Sequence, residues 1–130
     1  MRVSARKFLS PISLGELIDK STILQIKTQN FQSTALENVK KELERLEITL
    51  KSLQLEIDHR LIQRLKEVNQ DLWQIESDIR NLERQKIFDE TFIHLARSVY
   101  KKNDQRTAIK KEVNTTYSSA FVEEKSYKKY

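Results

Sequence analysis

The stretch that decides the fold is TALENVKKELERLEITLKSLQLEIDHRLIQRLKEVNQDLWQIESDIRNLERQ, residues 34–85. Leu36, Val39, Leu43, Leu46, Leu50, Leu53 and Ile57 follow one another in alternating steps of three and four, a heptad seam. A second run, Leu61, Leu65, Val68, Leu72, Ile75, Ile79 and Leu82, repeats the pattern with a shifted phase: Leu65 follows Ile57 by eight residues instead of seven. A continuous helix with a local phase shift would produce this skip. So would a tight turn near Ile57 to Arg60, with Asp58 capping a new helix. The turn is preferred, because one helix from Leu36 to Gln85 could not bury its own seam, whereas a hairpin buries both seams against each other. No Gly or Pro marks that turn.

Ser13-Leu14-Gly15-Glu16 and Thr34-Ala35-Leu36-Glu37 both read as capping boxes. They predict helices over about 14–28 and 34–57, followed by helices over 59–85 and 89–113, the last with Asp89 as its cap. Phe8, Leu9 and Ile12 form an arm before the first helix. Residues 114–130 are not periodic but contain Tyr117, Phe121, Tyr127 and Tyr130, too many aromatics for a free tail. The expectation is one all-α domain, residues 1–130: an antiparallel helical bundle with a long central hairpin and a docked, non-helical C-terminal tail.

Composition supports that class. The only Gly and Pro are Gly15 and Pro11, far too few for the turns of an all-β domain of 130 residues. With 38% apolar and 33% charged residues, the core is thin and the helices have wide solvated faces. The apolar stretch near the amino terminus is short and broken, so neither a signal peptide nor a membrane span is expected, and a cytoplasmic setting follows by default.

Several chemistries are excluded early. One glycine leaves no room for a phosphate loop or dinucleotide fingerprint. There is no cysteine, and His59 and His94 stand alone, so no metal site and no cofactor are expected. No catalytic motif marks the chain as an enzyme. The net charge is +5, with Arg97, Lys101, Lys102, Arg106, Lys110 and Lys111 against Asp104 in residues 97–111. A solvated basic face explains this stripe better than nucleic-acid binding, for which no motif exists.

Polar residues interrupt the apolar faces of the first and last helices. Asp19 and Lys20 flank the inward line of Leu17, Ile18 and Leu24. On the last helix Asn103 and Arg106 continue the line of Phe92, Leu95 or Ala96, and Val99, where a core helix would carry Leu. Polar groups near a core need partners, and Glu123, Glu124, Ser126 and Tyr127 of the tail are candidates. One reading is structural ion pairing. A second is a pocket for an anionic metabolite, with Lys20, Arg97, Arg106 and Lys110 as donors.

The segments ELIDKSTILQIK (16–27), LWQIESDIRNLE (72–83), FIHLARSVYKKNDQRTAIKKEVN (92–114) and VEEKSY (122–127) resemble a family of small bacterial proteins classed only as a domain of unknown function. Similar members occur in marine cyanobacteria, their phages and proteobacteria. The resemblance runs from about Ile12 to Tyr130 and is weakest from Asn30 to Arg64. It implies no activity. It does imply that Asp19, Lys20, Arg97, Tyr100, Asn103, Asp104, Arg106 and Lys110, with Glu123, Glu124 and the residues to Tyr127, belong to a family pattern. A fainter likeness, of architecture only, is to the small all-helical chorismate mutases, whose basic residues hold a dicarboxylate; fold does not give function. The leading functional expectation is therefore a structural or interaction module that self-associates or binds a protein partner through its seam.

Overall fold

A computed structural model describes residues 5–130. Four helices follow one another: α1 (Leu14–Asn30), α2 (Ser33–Ser52), α3 (His59–Arg84) and α4 (Glu90–Thr116). The described residues contain no strand. Three of the helices start where short polar side chains satisfy free backbone amides. Ser13 Oγ accepts from the Glu16 amide, Asp58 Oδ1 from Arg60, and Asp89 Oδ1 from Phe92. The Arg60 guanidinium also bonds the Asp58 carboxylate and holds its pKa below the ordinary value.

The second expected capping box is not formed. α2 begins one residue earlier than predicted, after Gln32, and no side chain caps it. Its other end departs further: α2 stops at Ser52, not at residue 57. Gln54 there takes the left-handed conformation (φ 54°) and gives its amide to the Lys51 carbonyl. The same device, without glycine, closes α3 and α4. Lys86 (φ 59°) and Ser118 (φ 52°) sit just past the helix ends, and the amides of Ile87 and Ser119 reach back to the carbonyls of Leu82 and Asn114.

The helices run up, down, up, down, as the pairs Lys20–Glu42, Gly15–Asn114 and Arg64–Glu112 require. The turn between α2 and α3 is present, over residues 53–58, with Asp58 as the cap. What the seams bury is different from the expectation. α2 packs along α1, whereas α3 packs along both α1 and α4, so the seams of α2 and α3 do not zip together along their lengths. Leu46, Leu50 and Ile57 instead reach a shared core of Leu14, Leu17, Ile18, Leu61, Leu65, Val68, Ile109 and Val113. The reason lies in α1, a 17-residue helix placed between α2 and the α3–α4 pair. With neighbours on both sides it buries residues on most of its circumference, including Asp19, Ser21 and Thr22. A half-polar helix tolerates this because Ser21 and Thr22 return their hydroxyls to the carbonyls of Ile18 and Asp19.

α3 and α4, with 26 and 27 residues, outreach α1. Their buried residues (Leu61, Leu65, Val68, Asn69; Ile109, Lys110, Val113, Asn114) all lie in the part where α3 begins and α4 ends, beside α1. The far part is a two-helix hairpin with a half-buried seam. Phe88 and Phe92 meet edge-on at its tip, 5.2 Å apart.

Candidate functional site

Gly15 sets how closely α1 approaches α4. A Cβ built there would lie 2.5 Å from the Lys110 carbonyl oxygen and 3.1 Å from Asn114 Oδ1. Absence of a side chain lets the Gly15 amide donate to Asn114 Oδ1 at 2.7 Å. The Asn114 side chain is thereby oriented, and its buried Nδ2 is left without a partner.

This close contact brings the polar interruptions together. Asp19 is wholly buried, and its carboxylate accepts from Arg106 Nε at 2.9 Å and from Arg106 Nη2. Asn69 of α3 gives one amide hydrogen to Asp19 Oδ1 and the other to Thr22 Oγ1, both at 2.9 Å. Three helices are thus joined through one carboxylate. The Asp19 bonds raise the Arg106 pKa above its ordinary value despite partial burial.

One turn further along α4, Lys110 is 5% exposed and bonds both Glu16 of α1 and Glu123 of the tail at 2.6 Å. Burial pulls the Lys110 pKa down, but the two carboxylates more than offset it and leave the value raised. Such a charge is tolerable in the interior only because it is paired on both sides.

The tail docks through charge more than through aromatics. Tyr117 is half-buried, and its hydroxyl oxygen accepts from the Asp58 amide. Phe121, Tyr127 and Tyr130 stay exposed. Tyr130 lies back against Tyr100, ring centroids 4.9 Å apart. The Lys110 ammonium holds the Glu123 pKa below 4.5. A carboxyl with a depressed folded-state pKa contributes docking energy above its ordinary pKa and loses it as pH falls through the depressed value. Residues 122–130 are therefore expected to be ordered at pH 7 and to loosen progressively as pH falls from 4.5 through the depressed value, read by heteronuclear NOE values. Glu123→Gln should release them already at pH 7; an identical tail at pH 7 and pH 3 would contradict this.

The predicted site residues separate into groups. Asp19, Arg106 and Lys110 belong to the buried chain of ion pairs. Tyr100, Asn103, Asp104 and Tyr127 line a cleft of about 500 Å³ under the tail. Glu124 pairs at 3.6 Å with Lys111, so Glu123, its neighbour, carries the buried contact. Lys20 faces α2, 3.9 Å from Glu42, and Arg97 is exposed and lines none of the clefts described here. Consequently the four cations expected to hold an anion do not converge, and Arg106 and Lys110 are already neutralised. The basic stripe is partly neutralised in the same way: Lys102 pairs with Asp71, Arg106 with Asp19 and Lys110 with two glutamates, while Arg97 and Lys101 stay exposed.

Asn69, Thr22 and Glu16 were not legible as members of this network. Asn69 follows the seam residue Val68, and only the burial of α1 on both sides gives it a partner.

Among the described residues no group of three or more His, Asp or Glu is placed to hold a metal ion, and no helix is long and apolar enough to cross a membrane. No curated protein and no solved structure shows significant similarity to the chain. A family profile matches residues 9–130, nearly the whole chain and all four helices, so the chain belongs to the family of unknown function DUF6165.

Proposed function

We propose that this protein is a non-enzymatic helical interaction module that takes up an acidic amphipathic helix of a protein partner. The observation that carries this reading is a groove of about 1000 Å³ between the N-terminal arm, α1, α2 and the start of the tail. Leu14 and Leu17 form part of its lining, with Leu46, Leu53 and Leu55 from α2 and the connection after it. Phe8 and Leu9, 89% and 91% exposed, lie along the arm. An apolar trough bounded by helices suits the apolar stripe of another helix. Its charges are Lys7, Lys20, Lys41 and Arg45 against Glu42. A second copy would bring a basic rim onto a basic rim; an acidic helix complements it.

The test uses a labelled synthetic helix with Leu at i, i+3, i+4 and i+7 and Glu elsewhere. Fluorescence anisotropy should show saturable binding that weakens with salt. Leu55→Asp should weaken it by about tenfold or more, as expected for removing an apolar anchor worth about 1.5–3 kcal/mol. The same helix with Lys in place of Glu should not bind. Equal binding of both peptides, unaffected by Leu55→Asp, would reject the reading. A dimer in sedimentation that Leu55→Asp dissociates would replace the partner by a second copy.

A further inference from the structure

A separate cleft of about 480 Å³ opens on the side of α1 that faces α3 and α4. Its apolar lining is Ile23, Ile26, Leu72 and Trp73, and its polar lining is Asn69, Asn103 and Arg106 together with Glu76, Ser77 and Arg80. We infer that this cleft binds an uncharged planar molecule whose edge carries both a hydrogen-bond acceptor and a donor, a carboxamide or a heterocyclic amide.

The charges of the cleft cancel. Arg106 is matched by Asp19 behind it, and Arg80 at the cleft is matched by Glu76. A carboxylate entering here would find no uncompensated cation and would lose hydration without repayment.

The hydrogen-bonding groups, by contrast, do not cancel. Arg106 spends Nε and Nη2 on Asp19, and its Nη1 hydrogens have no partner among the described residues. The side chain is 28% exposed and lines the cleft. Because Asp19 grips the guanidinium at two points, those remaining donors are held in a fixed direction. Asn69 is 5% exposed and gives both amide hydrogens away, to Asp19 and Thr22. Its carbonyl oxygen accepts no hydrogen bond from the described residues, which makes a nearly buried acceptor in a cleft wall. A fixed donor and a nearly buried, unused acceptor in the lining of one cleft, with the Asn103 amide as a third polar group, complement a carboxamide edge.

The apolar side of the cleft fits a ring. Trp73 is half-buried, braced by Phe31 with ring centroids 6.0 Å apart. Its indole lines the cleft together with the aliphatic side chains of Ile23, Ile26 and Leu72. A cleft that sets polar groups beside an apolar wall has the usual composition of a small-molecule site.

Trp73 is the sole tryptophan, so one indole N–H resonance reports on the cleft. The full chain, 15N-labelled, would be titrated with benzamide, benzoate and toluene. Benzamide should shift the indole resonance and the Asn69 and Asn103 signals saturably. Benzoate, lacking the donor and bearing a charge, and toluene, lacking both, should bind at least about tenfold more weakly. Asn103→Ala should weaken benzamide about three- to tenfold, the loss of one hydrogen bond. Asn103 is outside the Asp19 network, so this variant should fold. Ile23→Phe, which fills the cleft, should abolish binding. Benzoate binding as tightly as benzamide, or benzamide binding untouched by both variants, would overturn the inference. So would an indole resonance that benzamide leaves in place. None of these outcomes bears on the helix groove, which lies on another face of α1.

Discussion

Asp19→Ala is expected to destabilise the protein by about 3 kcal/mol, at the low end of the cost of breaking a buried ion pair. The variant removes the acceptor of three hydrogen bonds from Arg106 and Asn69. It leaves a guanidinium that is only 28% exposed without its counter-charge. Because Arg106 opens to the cleft, water can reach it and keeps the cost at that end of the range. Arg106→Met should cost more, about 4–5 kcal/mol, because it strands a carboxylate with no access to water. Replacing both residues together, Asp19→Leu with Arg106→Met, should cost less than Arg106→Met alone, since both desolvated charges then disappear. Urea midpoints of the three variants check this ordering. Equal stability of Asp19→Ala and the parent would mean that the pair holds nothing together.

Gly15→Ala is expected to cost about 1–3 kcal/mol, the ordinary range for overpacking. On an exposed helix the same change would stabilise by up to about 1 kcal/mol. The sign is reversed here because the new methyl group meets the backbone carbonyl of Lys110 at 2.5 Å, and a backbone oxygen inside a helix cannot rotate away. α1 must move from α4, which stretches the Gly15–Asn114 bond and the Glu16–Lys110 pair together. Thermal unfolding of the variant should show a lowered midpoint. An unchanged or raised midpoint would mean that the two helices can separate without penalty.

Much of the architecture was legible from residue spacing. The caps Ser13, Asp58 and Asp89 lie where short polar side chains precede apolar runs, and each accepts the expected amide. The ends of the helices were harder to read, for a definite reason. Gln54, Lys86 and Ser118 occupy left-handed positions that glycine normally fills, so the punctuation that marks a helix end was missing. The pairing of the seams was misread because heptads report which residues are buried but not which helix buries them. Nothing in residues 34–85 reveals that α1 supplies the surface on which α2 lies.

The polar cluster was partly legible. Asp19 and Arg106 stood out as polar residues on apolar lines, and they do meet. Lys20 and Arg97 were grouped with them although each helical step turns about 100°: Lys20, one step from Asp19, faces α2, and Arg97, on the opposite side of α4 from Arg106, stays in solvent. Glu16 was read as the second half of a capping box. Its carboxylate instead goes to Lys110, an ammonium nearly removed from water and in greater need of a partner than the first backbone amide. The anion-binding expectation rested on counting cations in the sequence, whereas the fold pairs the two buried ones internally.

These placements divide the molecule into a stabilising core and an open face. The ion pairs on the α4 side of α1 hold the terminal helices and the tail. Uncovered apolar side chains of the arm and of the connection after α2 (Phe8, Leu9, Ile12, Leu53 and Leu55) border the groove on the α2 side. The most direct measurement of that division is chemical-shift mapping of the Glu-bearing amphipathic helix on the 15N-labelled chain. Shifts concentrated at Leu14, Leu17, Leu46, Leu53 and Leu55, with Asp19, Asn69 and Arg106 unmoved, are the expected result. Shifts centred on Asp19, Asn69 and Arg106, or no shifts at saturating peptide, would contradict it.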